Sequence, residues 1–197
     1  MNQSKTTSSR NEHVCPWWLA YTFDNPLRRL LHDPREMLGG LVHDGMTAAD
    51  IGCGMGYFSI AMAKMVGGTG RVISVDLQQE MLDIMYKRAK RAGMADRINR
   101  VRASEDAIGL DQPVDFVLLF WMVHEVKDIS RFFGQVSSVL RAGGKVLYAE
   151  PKMHVPEKRF QEILGMAREA GFAISDAPRV RISRSALLMK PASAAGS

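Results

Sequence analysis

Seven consecutive residues, Asp50-Ile51-Gly52-Cys53-Gly54-Met55-Gly56, set three glycines at alternate positions behind an acid. Glycines at this spacing admit positive φ and let a ligand approach the backbone. A helix starting just after them offers free N–H groups and positive potential to an anion. A second acid, Asp76, ends an apolar run twenty residues after Gly56, where a carboxylate can accept both hydroxyls of a ribose. Loop and acid together point to a ligand built on a nucleoside.

The dinucleotide fingerprint, G-x-G-x-x-G, would put its third glycine at position 57. Tyr57 stands there, and the third glycine has moved up to Gly56, so the pattern is D-x-G-x-G-x-G. A loop beside a pyrophosphate gains little from an acid two residues ahead of its first glycine. A loop beside a zwitterionic amino acid can use it, because the Asp50 carboxylate attracts an ammonium. The distinction favours S-adenosylmethionine, an adenosine joined to a methionine tail, over NAD.

A second group of reactive side chains is Phe120-Trp121-Met122-Val123-His124-Glu125, directly after an apolar run. Open α/β sheets bind ligands beyond the carboxyl ends of their strands, which places this segment near the same ligand. His124 is a candidate base or acceptor-orienting group, with Glu125 beside it and Glu150 at the end of the next apolar run. The competing reading is that His124 and Glu125 only satisfy backbone groups at a strand end, and that Trp121 and Met122 fill core. No H-x-x-H or clustered acidic pattern is present, so no metal is expected. Cys15 and Cys53 are too few for a disulfide framework or a structural zinc site.

These residues need a scaffold of alternating elements. Strands are expected at 46–51, 71–76, 98–102, 114–120 and 145–149, with a closing pair at 172–175 and 185–189. Helices are expected at about 57–66, 78–92, 128–140 and 156–170. Asp128 caps the third of these, Gly93 and Gly171 stop the second and fourth, and Ala142-Gly143-Gly144 forms a turn. The run 114–120 is nearly all apolar, as a strand buried on both faces requires. Strands alternating with helices mean a parallel sheet covered on both faces, and the last two strands, with no helix between them, form an antiparallel edge hairpin.

Ahead of this core, Trp17, Trp18, Tyr21 and Phe23 precede two short helical starts, at Pro26 and at Asp33-Pro34. Glu36 stands three residues after Asp33, as in a capping box. Residues 13–41 are read as a helical extension and a candidate lid, with Tyr21 as a cofactor contact. Aromatic faces attract a sulfonium, and packing of the helices onto the sheet is the alternative. Residues 1–12 and 191–197 are polar or small and read as disordered tails. The domain proper is 42–190.

With these motifs in order, residues 40–190 resemble the class I SAM-dependent methyltransferases. DIGCGMG resembles their first motif, with Asp50, Gly52, Cys53, Gly54 and Gly56 at the cofactor. VISVDLQQEML resembles their second, which implies Asp76 at the ribose and Leu77 beside the adenine. RASEDAIGL stands at the adenine-edge motif, with Ser104 in place of the usual acid and Glu105 in place of alanine. VDFVLLFWMVHEV resembles the fourth strand and the active-site segment, including Phe120. LRAGGKVLYAE resembles L-x-P-G-G-x-L, with Ala142 where proline is usual. The resemblance implies a Rossmann-like, seven-stranded, mostly parallel sheet with an antiparallel last strand. It also implies methyl transfer by in-line displacement from S-adenosylmethionine, with S-adenosylhomocysteine as product.

The chain has 197 residues, 46% of them hydrophobic and 24% charged, the balance of a globular domain with a full core. No stretch reaches the length of a membrane span and the N-terminus has no apolar signal core, so a cytoplasmic location is expected. The formal net charge is +5, and residues 87–102 carry seven basic groups against Asp96. That run is read as a solvated helix face, with nucleic acid as a possible but motif-free partner. The Phe120-Trp121-Met122-Val123 stretch does not match the Asn/Asp-Pro-Pro-aromatic motif of amino-methylating DNA enzymes. The two cysteines do not supply the set that arsenite methyltransferases use. A small-molecule acceptor is the first expectation. An RNA or protein acceptor and a non-catalytic SAM-binding module are the alternatives.

Overall fold

The computed structural model describes residues 31–192. Along the described chain, α1 (Pro34–Leu38) precedes β1 (Thr47–Ile51), α2 (Tyr57–Met65), β2 (Arg71–Asp76), α3 (Gln79–Arg91), β3 (Ile98–Arg102) and β4 (Val114–Phe120). Then come α4 (Ile129–Val139), β5 (Leu140–Pro151), α5 (Glu157–Glu169), β6 (Ala173–Ser175) and β7 (Ser183–Met189). The strands form one seven-stranded sheet in the order β3-β2-β1-β4-β5-β7-β6. The pairs among β1 to β5 are parallel, and β7 runs antiparallel to both β5 and β6. The expected α/β architecture and its antiparallel edge are therefore present, with β7 inserted between β5 and the edge strand β6.

Every residue of β4 except Asp115 is buried, and its side chains alternate between two cores. Phe116, Leu118 and Phe120 pack with Leu38, Met62 and Met85 on one face, while Val117 and Leu119 pack with Phe133, Val136 and Ile163 on the other. Each large side chain so buried stabilises the fold by about 1.5–3 kcal/mol. This double burial explains why the sequence of β4 shows no polar alternation.

The helix signals act as read at Asp128, whose carboxylate accepts from Arg131 N at 2.9 Å. The same holds at Asp33, whose carboxylate accepts from Arg35 N at 2.8 Å and caps α1, a five-residue helix opened by Pro34. Residues 142–144 differ from the expected turn, because they lie within β5. Gly143, at φ 76°, donates its N–H to Lys190 O at 2.9 Å, and Lys190 N donates to Gly144 O at 3.0 Å. Pairing with β7 thus draws the turn into the sheet as an irregularity. The helix start at Pro26 and the lid expectation for 13–30, with Cys15, Trp17, Trp18, Tyr21 and Phe23, lie outside the described residues. Met37, Leu38 and Leu41, at the end of the proposed extension, and Val42 just beyond it are buried in the core against α2.

Much of the basic run serves the local fold. Arg88, Lys90 and Arg91 stand in the last turn of α3, where cations complement the helix dipole. Arg97 donates to Ala63 O at 3.1 Å, and Arg100 pairs with Asp83 at 3.1 Å while lying over the Tyr86 ring. Among the described residues no helix is long and apolar enough to cross a membrane.

Candidate functional site

The glycine loop joins β1 to α2. All three glycines adopt positive φ, 77° at Gly52, 50° at Gly54 and 82° at Gly56, but for different reasons. A Cβ at Gly52 would stand 2.8 Å from Met122 Cγ, and one at Gly56 would collide with Met85. A Cβ at Gly54 would meet nothing within 4 Å. Two glycines therefore let the loop pack against neighbouring side chains, and the third presents bare backbone to open space.

That space is a cavity of about 290 Å³, at the lower end of small-ligand sites. Gly52, Gly54, Asp76, Leu77, Ser104, Glu105, Trp121, Met122 and Glu125 all line it. The topology accounts for the assembly: β1, β2 and β4 are adjacent and parallel, so their carboxyl ends open on one side.

Asp76 is already tied to the loop. Its carboxylate accepts from Gly54 N at 2.9 Å and from Gln78 N at 3.0 Å. Burial pushes its pKa above the ordinary carboxylate value, against the pull of the backbone donors at Gln78, Gly54 and Leu77. The carboxylate is thus partly desolvated, as an acceptor for ligand hydroxyls should be.

The segment after β3, residues 103–109, is strapped to α4 and to Lys127 just ahead of it. Lys127 Nζ donates to Glu105 Oε2 at 2.5 Å, and Gln135 joins Ile108 N and Asp106 O at 2.9 and 2.7 Å. Lys127, Arg131 and Gln135 also line the cavity, and sequence reasoning missed all three. The Asp128 cap located the start of α4, but nothing in the sequence gave its distance from residues 103–109.

Several expected site residues stand behind the wall rather than on it. Asp50 is buried and accepts from Ser59 Oγ at 2.5 Å, which ties β1 to the first turn of α2. Cys53 is buried, and its thiol pKa is raised by burial and then by the charges of Asp50 and Asp76, so it is no thiolate nucleophile. Phe120 packs among Phe58, His32 and Trp121. Trp121 carries an unexpected φ of 59°, stacks on Phe120 and donates from Nε1 to Ser183 Oγ at 2.9 Å. A non-glycine residue held in that conformation marks local strain of about 1–3 kcal/mol, a frequent feature of binding sites.

His124 and Glu125 belong to a short 3-10 turn, Val123–Glu125, that follows β4. Glu125 faces the cavity, whereas His124 is turned to Glu150. Its ring Nδ1 lies 2.6 Å from Glu150 Oε2, and its backbone N donates to Glu150 Oε1 at 3.0 Å. Burial works to lower the imidazole pKa, but the hydrogen bond to Glu150 and the charges of Glu150 and Glu125 outweigh it and hold the pKa above the ordinary value.

A larger, open groove of about 960 Å³ between α1, α2 and α3 carries Arg35, Lys64, Arg88 and Arg91. It shares no lining residue with the cavity at Asp76 and carries neither the glycine loop nor an acid at a strand end. The smaller cavity is therefore the candidate site. Among the described residues no three His, Cys, Asp or Glu side chains are grouped to hold a metal ion.

Comparison with known proteins agrees with this geometry. A family model described as a methyltransferase domain matches residues 48–144. The demethylmenaquinone methyltransferase of Lactobacillus johnsonii is 34% identical over 108 residues, which is 53% of this chain and 43% of that protein. The ubiquinone/menaquinone biosynthesis C-methyltransferase UbiE of Haemophilus ducreyi is 24% identical over 156 residues, 76% of this chain and 60% of that one. The chain spans about half the length of the curated relatives it matches. A SAM dependent methyltransferase from Aquifex aeolicus superposes with a TM-score of 0.79 at 22% identity, covering 90% of this chain and all of that one.

Proposed function

Because the chain belongs to the class I SAM-dependent methyltransferase family, we propose that it transfers the methyl group of S-adenosylmethionine to a small-molecule acceptor. The observation that carries this reading is the junction of Gly54 and Asp76. A bare backbone wall and a buried carboxylate meet at one cavity. The residues fit the cofactor: a Cβ at Gly54 would project into free space that a ligand can fill, and Asp76 can accept ribose hydroxyls. Leu77, Ser104 and Glu105 would flank the adenine, and Tyr21 is proposed as a further contact from the extension.

S-adenosylmethionine supplies a methyl group on a sulfonium, so the protein's task is proximity and orientation of the acceptor. Trp121, Met122 and Glu125 form the wall where an acceptor would approach. The named relatives, demethylmenaquinone and ubiquinone/menaquinone C-methyltransferases, favour an acceptor of quinone type, methylated in its reduced, electron-rich ring. His124 and Glu125 are the proposed catalytic groups.

The test is calorimetry with S-adenosylmethionine, S-adenosylhomocysteine and NAD, followed by incubation of isotopically labelled S-adenosylmethionine with cell extract and identification of the labelled product. Micromolar binding of the first two, with NAD much weaker, is expected. NAD as the tighter ligand would overturn the reading.

A further inference from the structure

Glu150 is fully buried at the end of β5, and both of its oxygens face one residue, His124. The contacts differ in kind. One holds the backbone of the 3-10 turn, and the other holds the ring. A carboxylate only accepts, so Nδ1 is the donor and, in the neutral ring, Nε2 keeps the lone pair. The side chain of His124 is 23% exposed while that of Glu150 is at 0%, so the ring has an open side and its partner has none. The turn that carries His124 also carries Glu125, and both Glu125 and Met122 line the cofactor cavity.

We propose that His124 and Glu150 work as a pair on an acceptor that bears a weakly acidic hydroxyl. His124 takes the hydroxyl proton at Nε2, and Glu150 is the positioning residue that fixes the ring and its tautomer. This rests on the methyl-transfer reading above. In the step, the acceptor O–H bond breaks and its proton passes to His124. The electron pair released on the acceptor drives its nucleophilic atom onto the methyl carbon; where that atom is a ring carbon, its C–H bond then breaks and the acceptor oxygen is reprotonated, which restores the aromatic ring. The methyl–sulfur bond breaks with its electrons remaining on sulfur, giving S-adenosylhomocysteine, and His124 then returns the proton to water. Glu125 on the same turn adds a second negative charge near the ring, and the His154 ring lies 6.0 Å away on the segment after β5. Tyr148, also on β5, feels the charge of Glu150, and Arg159 on α5 acts on Tyr148 in the opposite direction. A purely structural role for Glu150 would be met by the backbone contact alone. The ring contact is what a base requires.

The experiment uses the full chain with S-adenosylmethionine and two probes, 1,4-naphthohydroquinone kept reduced and 1-naphthol, measuring kcat and KM across pH. The wild-type rate should rise with pH to a plateau as His124 loses its proton. His124→Gln should abolish that rise and lower kcat about 100-fold, the scale of a lost general base, with KM little changed. Glu150→Gln should shift the midpoint to lower pH and lower the plateau about tenfold, with S-adenosylmethionine affinity intact. An unchanged pH profile in either variant overturns the proposal. Wild-type protein that binds S-adenosylmethionine yet methylates neither probe also overturns it, and leaves the cofactor reading standing. Failure to bind S-adenosylmethionine would instead remove the reading it rests on. Should Glu150→Gln not fold, the wild-type His124 ring is titrated by NMR with S-adenosylhomocysteine present. A midpoint above that of free histidine is expected, and one at or below it overturns the pairing.

Discussion

The N–H of Gly54 points at the carboxylate of Asp76, 2.9 Å away, and so joins the glycine loop to the end of β2 before any ligand arrives. One residue thereby holds the loop that faces the ligand and offers the charge that would bind it. Asp76→Ala is expected to weaken S-adenosylmethionine binding by about 2–3 kcal/mol, the scale of charge-assisted hydrogen bonds. Calorimetry on the folded variant checks this, and unchanged affinity would take Asp76 out of the site.

The three glycines should separate in their effects. Gly56→Ala is expected to cost about 1–3 kcal/mol of stability, because its methyl would collide with Met85 and its φ of 82° disfavours a side chain. Gly54→Val should reduce S-adenosylmethionine affinity at least as much as Asp76→Ala, by filling the space the ligand needs. Denaturant melts read the first and calorimetry the second. Equal loss of binding and stability in both variants would contradict the division.

His124 also gives stability a pH dependence of definite sign. Its folded pKa is raised, so the protonated ring paired with Glu150 contributes fully below the unfolded value, about 6.5. The contribution is lost as pH rises through the folded value. The melting temperature of wild type relative to His124→Gln should therefore be highest in acid and converge as pH rises through that window. A gap that widens toward alkaline pH would refute the pairing.

The extension can be probed where it meets the core. Leu38 is fully buried beside Met62 and Phe116, so Leu38→Ala should cost about 2–5 kcal/mol in chemical denaturation. A truncation meant to test the proposed lid should thus stop before residue 31. Deletion of 1–30 is expected to leave a folded core with weakened S-adenosylmethionine binding and no turnover. Full affinity and normal turnover would end the lid reading, and an unfolded product would assign those residues to packing.

The glycine spacing, Asp76 and the apolar run of β4 were legible in the sequence because each is a local pattern with a local cause. The same holds for the Asp128 cap. What escaped depends on contacts distant in sequence. Glu150 reaches His124 across 26 residues, and Trp121 is held by Ser183 across 62. The glycines at 143 and 144 read as a turn because Lys190, which captures them just beyond β7, lies more than forty residues further on. Asp50 read as a ligand group, and in the structure one of its carboxylate oxygens accepts from Ser59, a partner no spacing rule would single out.

Trp121 has a use apart from any role in binding. Its indole lines the candidate cavity, lies nearly flat against Phe120 and is fixed at its nitrogen by Ser183. The chain has three tryptophans, and the other two, Trp17 and Trp18, sit side by side far upstream. Replacing that pair with phenylalanine would leave a single tryptophan, at the cavity wall. Its emission would follow ligand arrival and departure in real time, with no label attached.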